Sequence, residues 1–251
     1  MFDPLTLISQ HRSDRSFRDD PVAPAVLDEI LRACQWAPTS ANTQHVSVVV
    51  VQDPVKRSKL AELAGGQPWV AKAPVFLALV MDYYKNAQAM QLLGEPHVIQ
   101  DYVEGTISAA SDAGILLGQL LVAAHARGLG CVPIGGLRNN PKEVVELLQL
   151  PPLTFPLVGL CLGHVDKATA QRPRLPHETF RYDEVYGTPN LAAAIATYDE
   201  TLLKHWAAVG RSNGQSWSAA ITPYSDHNYR ARLLPGLLQQ GFRFDKDPVT
   251  E

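Results

Sequence analysis

Cysteine is scarce in this sequence: there are three, at Cys34, Cys131 and Cys161, and they lie far apart. An odd number of widely spaced cysteines does not suit a disulfide framework and favours a reducing, cytoplasmic environment. The eight histidines lack the HxH and HxxxH spacings of a metal site, so we expect no metal. The N-terminus lacks a basic segment followed by an apolar run, so we expect no signal peptide.

A strong excess of either charge is also missing, because 22 Lys and Arg stand against 25 Asp and Glu, for a net charge of −3. This balance argues against a general nucleic-acid-binding protein. One long apolar stretch, near 107–124, has the composition of a membrane span. Asp112 and Gln119 interrupt it, which favours a buried helix of a soluble protein and no membrane partner.

The sequence shows no repeat, low-complexity tract or linker, and 46% of its 251 residues are hydrophobic. These features predict a single α+β domain over residues 1–251, with a helical excursion at about 190–241. Apolar runs predict strands, the first two buried on both faces, at 46–51, 75–80, 130–134 and 155–162. Apolar residues at helical spacing predict helices at 24–36, 98–127, 190–208 and 228–241. An aspartate or asparagine followed by proline predicts the start of three more helices: one at Asp3-Pro4, one from Asp53-Pro54 to Gly65-Gly66, and one from Asn140-Pro141 to Leu150.

The helix predicted at 98–127 is rich in small residues between 105 and 118. Small side chains let another helix approach closely. A long helix that is apolar around much of its circumference is typical of the centre of a fold or of a dimer interface, and the sequence leaves both interpretations open.

The densest group of cationic side chains is His11-Arg12-Ser13-Asp14-Arg15-Ser16-Phe17-Arg18. The planar fork of donors on arginine suits phosphate and carbonyl oxygens. The alternative is a solvated basic turn neutralised by Asp14, Asp19 and Asp20. A second cationic group, with Arg172 and Arg174, lies in a proline-rich loop.

Two polar stretches accompany the arginines, at 39–44 and at Gly65-Gly66-Gln67. The glycines of 128–136 follow a helix, and proline replaces the last glycine of a dinucleotide fingerprint, so they do not indicate a Rossmann fold. No Gly-x-Ser-x-Gly nucleophile elbow occurs. Arginines, amides and glycine backbone together fit an anionic cofactor that supplies the chemistry itself.

Five stretches, in this order, resemble the nitroreductase superfamily in its group A branch of oxygen-insensitive FMN-dependent NAD(P)H nitroreductases and flavin reductases. They are His11–Arg15, Gly65–Gln67, Ile134–Asn140, Gly159–Gly163 and Pro173–Pro176. The resemblance runs from residue 5 to about 240. It implies a mostly antiparallel central sheet wrapped by helices, in an intertwined homodimer with two FMN sites at the subunit interface.

The resemblance also implies the residues that bind FMN. His11, Arg12, Ser13 and Arg15 would contact its phosphate and ribityl chain, with Arg172 and Arg174 completing the cationic grip. Gln67 would bond the pyrimidine edge of the isoalloxazine. The remaining contacts would come from Thr39, Ser40 and Ala41 of the other subunit and, near the dimethylbenzene ring and N5, from Pro133, Ile134, Gly135 and Gly136.

This sequence departs from the group A pattern in places. Pro133 stands where the family usually has tyrosine, and Arg172 where it usually has lysine. The loop after residue 208 keeps one arginine, Arg211, as a candidate for binding the 2′-phosphate of NADPH, but lacks the second. We therefore expect a weaker preference for NADPH than the family pattern implies, with NADH also a donor.

The implied activity is a ping-pong oxidoreductase in which NAD(P)H passes hydride to FMN N5 and a small flat electron acceptor is then reduced: a nitroaromatic, a quinone or a flavin. No residue of the chain is predicted to be catalytic, because the chemistry takes place on FMN. The alternatives are a flavin reductase that supplies reduced FMN to another protein, a non-catalytic flavin-binding protein, and a fold that has lost flavin.

Overall fold

The computed structural model describes residues 3–187, 190–225 and 227–247. The chain forms two compact units, one of residues up to Thr169 together with those from Arg230 onward, the other of Ala170–Tyr229. A domain is defined by folding on its own, so the single domain expected from the sequence stays a prediction.

The first unit is built on a four-stranded antiparallel sheet with the strand order β1-β2-β4-β3. All four strands were predicted in place, and their bounds are β1 Val46–Val51, β2 Val75–Asp82, β3 Gly130–Ile134 and β4 Thr154–Gly163. Their β-branched and apolar composition explains the agreement, because such side chains fit a pleated, buried surface.

The central strands β2 and β4 are buried on both faces, and their alternate residues enter two different cores. Phe76 and Ala78 face one core, whereas Leu77 and Leu79 face the other. Full burial of one such large apolar side chain stabilises the fold by about 1.5–3 kcal/mol. A Cβ at Gly159 would lie 2.2 Å from the Phe76 ring, so a glycine is needed for this packing.

The prediction that β1 is buried on both faces is wrong. Five of its residues are half-buried or exposed, and Val51 alone in the strand is buried. The reason is topological, because β1 lies at the edge of the sheet and pairs only with β2. Its run of valines is the same in composition as that of a central strand, and composition does not report position in the sheet.

Helices cover both faces of this sheet, as the resemblance implied. Leu60 and Val144 pack against one face, and Ile30 and Leu120 pack against the other. The helices of this unit are α1 Pro4–Ser9, α2 Pro24–Cys34, α3 Pro54–Leu63, α4 Pro68–Lys72, α5 Tyr84–Leu93, α6 Val103–Ala126 and α7 Pro141–Leu148. Short 3₁₀ turns span Ser40–Asn42, Ile99–Asp101 and Gly135–Arg138.

Proline at the first position begins five of these helices, as the sequence analysis expected for three of them. Asp3 and Asp53 cap α1 and α3 by accepting backbone N–H groups. Asn140 does not cap α7. Its amide instead donates to the Leu63 carbonyl at 2.7 Å and its oxygen accepts from Arg232, so it joins neighbouring segments.

The second unit contains α8 Leu191–Ala208 and α9 Trp217–Ser225, with a 3₁₀ turn at His177–Thr179. Helix α8 confirms the prediction for 190–208, whereas α9 was not predicted. The carboxylate of Asp199 accepts the Ser218 N–H at 2.9 Å and thereby fixes the start of α9. The helix predicted at 228–241 is shorter, α10 Leu233–Gln239, and belongs to the first unit.

Helix α6 is long and apolar enough to cross a membrane by length and composition alone. It carries Asp112 on a buried side, beside His45, and Ala109, Ala113 and Leu120 pack in the cores of the sheet. These contacts are those of a helix packed against a folded sheet. Its side chains at Ile107 and Ile115 remain 56% and 42% exposed.

Candidate flavin-binding site

The arginine-rich segment 11–15 is anchored to the sheet through Asp14. Asp14 is 1% exposed, and its N–H donates to the Cys131 carbonyl of β3 at 3.1 Å. Its carboxylate lies 3.2 Å from the Nε of Arg12, so a buried acid orients that guanidinium. A Cβ at Gly130 would lie 2.9 Å from the same carboxylate, which explains glycine at the start of β3.

Arg15 extends the segment towards α4. Its guanidinium lies 5.4 Å from the centre of the Trp69 ring, and its Nη1 donates to the Ser13 carbonyl at 3.3 Å. Cation–π contact and a hydrogen bond to its own segment restrict the arginine to one region of space. The cationic groups are therefore held in place before any ligand arrives.

Gln67 is set by a turn that requires glycine. Gly65 and Gly66 have φ of 92° and 72°, which ends α3 as predicted and carries the chain back to Gln67. The Nε2 of Gln67 donates to the Ala64 carbonyl at 2.7 Å. Among the described residues, this is the one hydrogen bond that the side-chain amide of Gln67 makes. Its Oε1 and its second N–H therefore remain for a ligand.

Gly136 closes on Gln67 from the end of β3. A Cβ at Gly136 would lie 2.3 Å from the Ala64 oxygen and 2.7 Å from the Gln67 Nε2. The side chains of Arg230 and Arg138 border the neighbouring Gly135 at 3.2 and 3.7 Å from its Cβ position. Ile134 is buried in the core, so it presents only backbone at this turn.

The segment 39–41 lies elsewhere in the first unit. The Ser40 N–H donates to the buried Asp112 of α6 at 2.9 Å, and Thr43 donates to the Ser40 carbonyl at 2.7 Å. No described contact joins Thr39, Ser40 or Ala41 to segment 11–15, Gln67 or the turn at Gly136. Within one chain the site therefore combines three of the expected segments and leaves this one apart.

The second unit holds a cluster of arginines around one tryptophan. The guanidinium carbons of Arg172 and Arg211 lie 5.0 and 4.6 Å from the centre of the Trp206 ring. Burial, followed by the charges of Arg211 and Arg174, lowers the pKa of Arg172. An anion bound beside these arginines would relieve their mutual repulsion.

Two models of known families match this chain over nearly its whole length. The model of the nitroreductase family matches residues 8–164, and the model of the nitroreductase family C-terminal domain matches residues 172–245. The chain belongs to the nitroreductase family.

Two relatives of this nitroreductase-family chain are similar over almost their full length. The FMN reductase [NAD(P)H] of Bacillus subtilis (strain 168) is 41% identical, with 95% of this chain and 97% of the relative covered. The NADPH-flavin oxidoreductase of Vibrio harveyi is 37% identical, with 94% and 97% covered.

Solved structures agree with these relatives. A structure of the NADPH:FMN oxidoreductase from Vibrio harveyi complexed with NAD⁺ has a TM-score of 0.86 at 35% identity, covering 97% of this chain and 99% of the other. The hypothetical oxidoreductase YcnD from Bacillus subtilis has a TM-score of 0.94 at 40% identity, covering 98% and 100%. The fold expected from the sequence is confirmed.

In this nitroreductase-family protein, the residues that hold the candidate site's arginines in place were not predicted from sequence. Trp69 contacts one arginine and Trp206 contacts two, and Asp14 was interpreted only as a charge that neutralises its neighbours. Because Trp69 follows Gln67 by two residues, its place in the candidate site could have been predicted from sequence. The role of Trp206 depends on contacts with a distant arginine, Arg172, which sequence spacing does not report.

Cys131 of β3 has the environment of a buried apolar side chain. Cys131 is fully buried, and burial raises the pKa of its thiol to about 12. Burial, followed by the charge of His11, also lowers the pKa of the neighbouring His125. Burial thus favours the neutral forms of both side chains.

Proposed function

We propose that this nitroreductase-family protein is an FMN-dependent NAD(P)H oxidoreductase that reduces small flat acceptors, such as nitroaromatics, quinones or flavins, by a ping-pong reaction. The observation that carries the proposal is the convergence of three segments in one unit. Asp14 contacts Cys131, Arg15 lies on Trp69, and Gln67 lies against Gly136. The names of the relatives support the same activity.

The residues at this turn fit the flat ring of FMN. At Gly136 any side chain would collide with Ala64 and Gln67, so only backbone is present there. The amide of Gln67 offers both a hydrogen-bond acceptor and a donor. An isoalloxazine presents alternating carbonyl and N–H groups at its pyrimidine edge, which an amide matches. We assign Gln67 to that edge, and Pro133, Ile134, Gly135 and Gly136 to the side of the ring that carries N5.

The cationic residues fit the other end of FMN. We assign His11, Arg12, Ser13 and Arg15 to the phosphate and the ribityl chain, because Asp14 and Trp69 already hold two of these arginines in fixed positions. The resemblance implies that Arg172 and Arg174 of the second unit also bind phosphate. Charge-assisted hydrogen bonds to phosphate are worth about 1.5–3 kcal/mol each.

Bound FMN supplies two-electron redox chemistry, accepting hydride from NAD(P)H and delivering electrons to the acceptor. The protein binds and orients the ring and places positive charge near it. Electropositive groups near the pyrimidine edge favour the reduced, anionic flavin. Tyr83, whose pKa burial raises to about 12, donates to the Gly105 carbonyl and has a structural role.

A homodimer is part of the proposal. A cavity of about 750 Å³ opens between α1, α2 and α6, lined by apolar side chains that include Leu7, Trp36, Ile115 and Val122. Trp36 is 88% exposed, which is unusual for so large an apolar group. A second copy covering this face would bury it and would bring segment 39–41 to the FMN of the partner. We place the dimer in the cytoplasm.

Steady-state kinetics tests the function. With NADPH varied at several acceptor concentrations, a ping-pong enzyme gives parallel double-reciprocal lines for menadione, a nitrofuran and free FMN. Intersecting lines, or no turnover by FMN-loaded protein, would contradict the proposal. Free FMN as the best acceptor would favour the second candidate, a flavin reductase, which the name of the 41% identical relative supports.

The choice of electron donor gives a specific prediction at Arg211. Its guanidinium lies on Trp206, and its loop wraps that ring: the indole N–H donates to the Gln215 carbonyl at 2.9 Å. We expect Arg211→Ala to raise the KM for NADPH about tenfold, roughly 1.4 kcal/mol of lost binding, and to leave NADH kinetics unchanged. The measurement is steady-state kinetics with both donors.

The matched control is Arg181→Ala, which removes an exposed arginine of the same unit that pairs with Asp183 at 2.9 Å. It should leave both donors unchanged. Wild-type protein should use NADH as well, with a preference for NADPH below about a thousandfold in kcat/KM, roughly 4 kcal/mol. A larger preference would show that further cations bind the 2′-phosphate.

A further inference from the structure

The loop 39–44 has a backbone that its residues do not prefer. Ala41, Asn42 and Gln44 have φ of 47°, 57° and 51°, in the left-handed region that is uncommon for residues with a side chain. Such conformations persist only where the surrounding structure fixes them, and they concentrate at functional sites. Something in the fold must therefore hold this loop.

Asp112 and His45 hold the loop from both ends. The Oδ2 of Asp112 accepts the N–H of Ser40 at 2.9 Å and lies 2.8 Å from the Nε2 of His45. On the other side of the ring, Nδ1 of His45 lies 2.7 Å from the hydroxyl of Thr43. One carboxylate oxygen thus links the start of the loop to the residue that follows it.

This connection is buried. The side chains of His45 and Asp112 are 2% and 5% exposed, beneath the ring of Tyr83, whose centre lies 5.0 Å from that of His45. The Nε2 of His45 lies close to the carboxylate of Asp112 but is not aligned for a hydrogen bond. The hydrogen bond that this carboxylate accepts is therefore the one from the Ser40 N–H. A buried acceptor that loses its donor costs about 1–3 kcal/mol, so this bond resists opening.

The first unit has a second largely buried carboxylate with a basic side chain beside it and no contact to the loop. Asp101 lies 2.7 Å from the Nζ of Lys246, just before the start of α6. Asp112, in contrast, projects from the middle of α6, the helix that also carries the exposed face assigned to the dimer. The carboxylate of Asp112 therefore connects a dimer helix to the loop that carries Ser40.

We propose that Asp112 is a positioning residue of the flavin site, which holds the Ser40 amide so that loop 39–44 presents Thr39, Ser40 and Ala41 to FMN in the partner subunit. The inference rests on the proposed function, because that function places this loop at FMN. Asp112 touches no ligand itself. It acts through the backbone of Ser40.

The first test is FMN affinity, measured by quenching of flavin fluorescence on binding to apoprotein. Asp112→Asn keeps the size of the side chain and removes its charge, and we expect the Kd for FMN to rise at least tenfold. The control, Asp101→Asn, removes the charge of the other largely buried carboxylate and should leave the Kd within twofold of wild type. Thermal melting of both apoproteins reports any general loss of stability.

The second test separates positioning from general stabilisation. Ser40→Pro deletes the N–H that Asp112 accepts, and Thr39 already has the extended backbone that precedes a proline, with φ −129° and ψ 151°. We expect this variant also to fold and to bind FMN at least tenfold more weakly. If Asp112 acts through this amide, Asp112→Asn adds less than twofold when introduced into Ser40→Pro.

Two results would overturn the inference: an Asp112→Asn protein that binds FMN as wild type does, or losses that multiply in the double variant. Wild-type apoprotein that binds no FMN would instead overturn the proposed function and this inference with it. If wild type binds FMN and the Asp112→Asn variant binds it equally well, the inference about Asp112 is overturned and the proposed function is not.

Discussion

Gly136→Ala is expected to weaken FMN binding strongly while the protein still folds. The added methyl group would lie 2.3 Å from the Ala64 oxygen and 2.7 Å from the Gln67 Nε2. Because the first neighbour is backbone, no side-chain rotation relieves the contact, and the bond between Gln67 and Ala64 must break. We expect at least a hundredfold rise in the Kd for FMN, roughly 2.7 kcal/mol, measured by flavin fluorescence.

The neighbouring glycine provides the comparison. A Cβ at Gly135 would meet only the ends of two arginine side chains, Arg230 at 3.2 Å and Arg138 at 3.7 Å, and such ends can shift. Gly135→Ala should therefore weaken FMN binding much less than Gly136→Ala. Overpacking at Gly136 should also lower the free energy of unfolding by about 1–3 kcal/mol. FMN binding by Gly136→Ala at wild-type affinity would contradict the assignment of this turn.

Gly114→Leu is expected to remove dimer and flavin together. Within the chain a Cβ at Gly114 meets nothing within 4 Å, so leucine fits the isolated subunit and even improves helix propensity by up to about 1 kcal/mol. Overpacking by this leucine therefore requires a second copy against this face. Light scattering should show a monomer, and fluorescence should show no bound FMN.

Gly114→Ala is the graded control, because a single methyl group allows close approach of another helix. It should keep the dimer and its FMN. A Gly114→Leu protein that stays dimeric would show that this part of α6 is not the interface. A stable monomer that retains FMN would show that the flavin site is complete within one chain.

The sheet could be predicted from the sequence because its signal is local. Each strand is a short run of β-branched or apolar residues bounded by turn residues, and all four lie where the runs indicated. The exposure of β1 was not predictable, because it depends on which strands pair with Val46–Val51. Helix α5 was missed because none of its residues is buried, so no apolar face marks it.

In the candidate site, too, local features could be predicted from the sequence and tertiary contacts could not. His11, Arg15 and Gln67 were named because cationic side chains suit an anionic cofactor and because their segments resemble the FMN-binding motifs of the nitroreductase superfamily. The residues that hold them in place come from distant segments. Trp69 under Arg15, Trp206 under Arg172 and Asp112 behind Ser40 depend on tertiary contacts, which a single sequence does not contain.

Anaerobic reduction of the FMN-loaded protein tests the central claim most directly. Apoprotein is incubated with FMN, freed of excess by gel filtration, and mixed with NADPH or NADH in the absence of oxygen. We predict that one FMN is retained per subunit, and that its visible absorbance is bleached by either donor and restored by adding menadione. Protein that retains no FMN, or whose bound FMN neither donor reduces, would contradict the account.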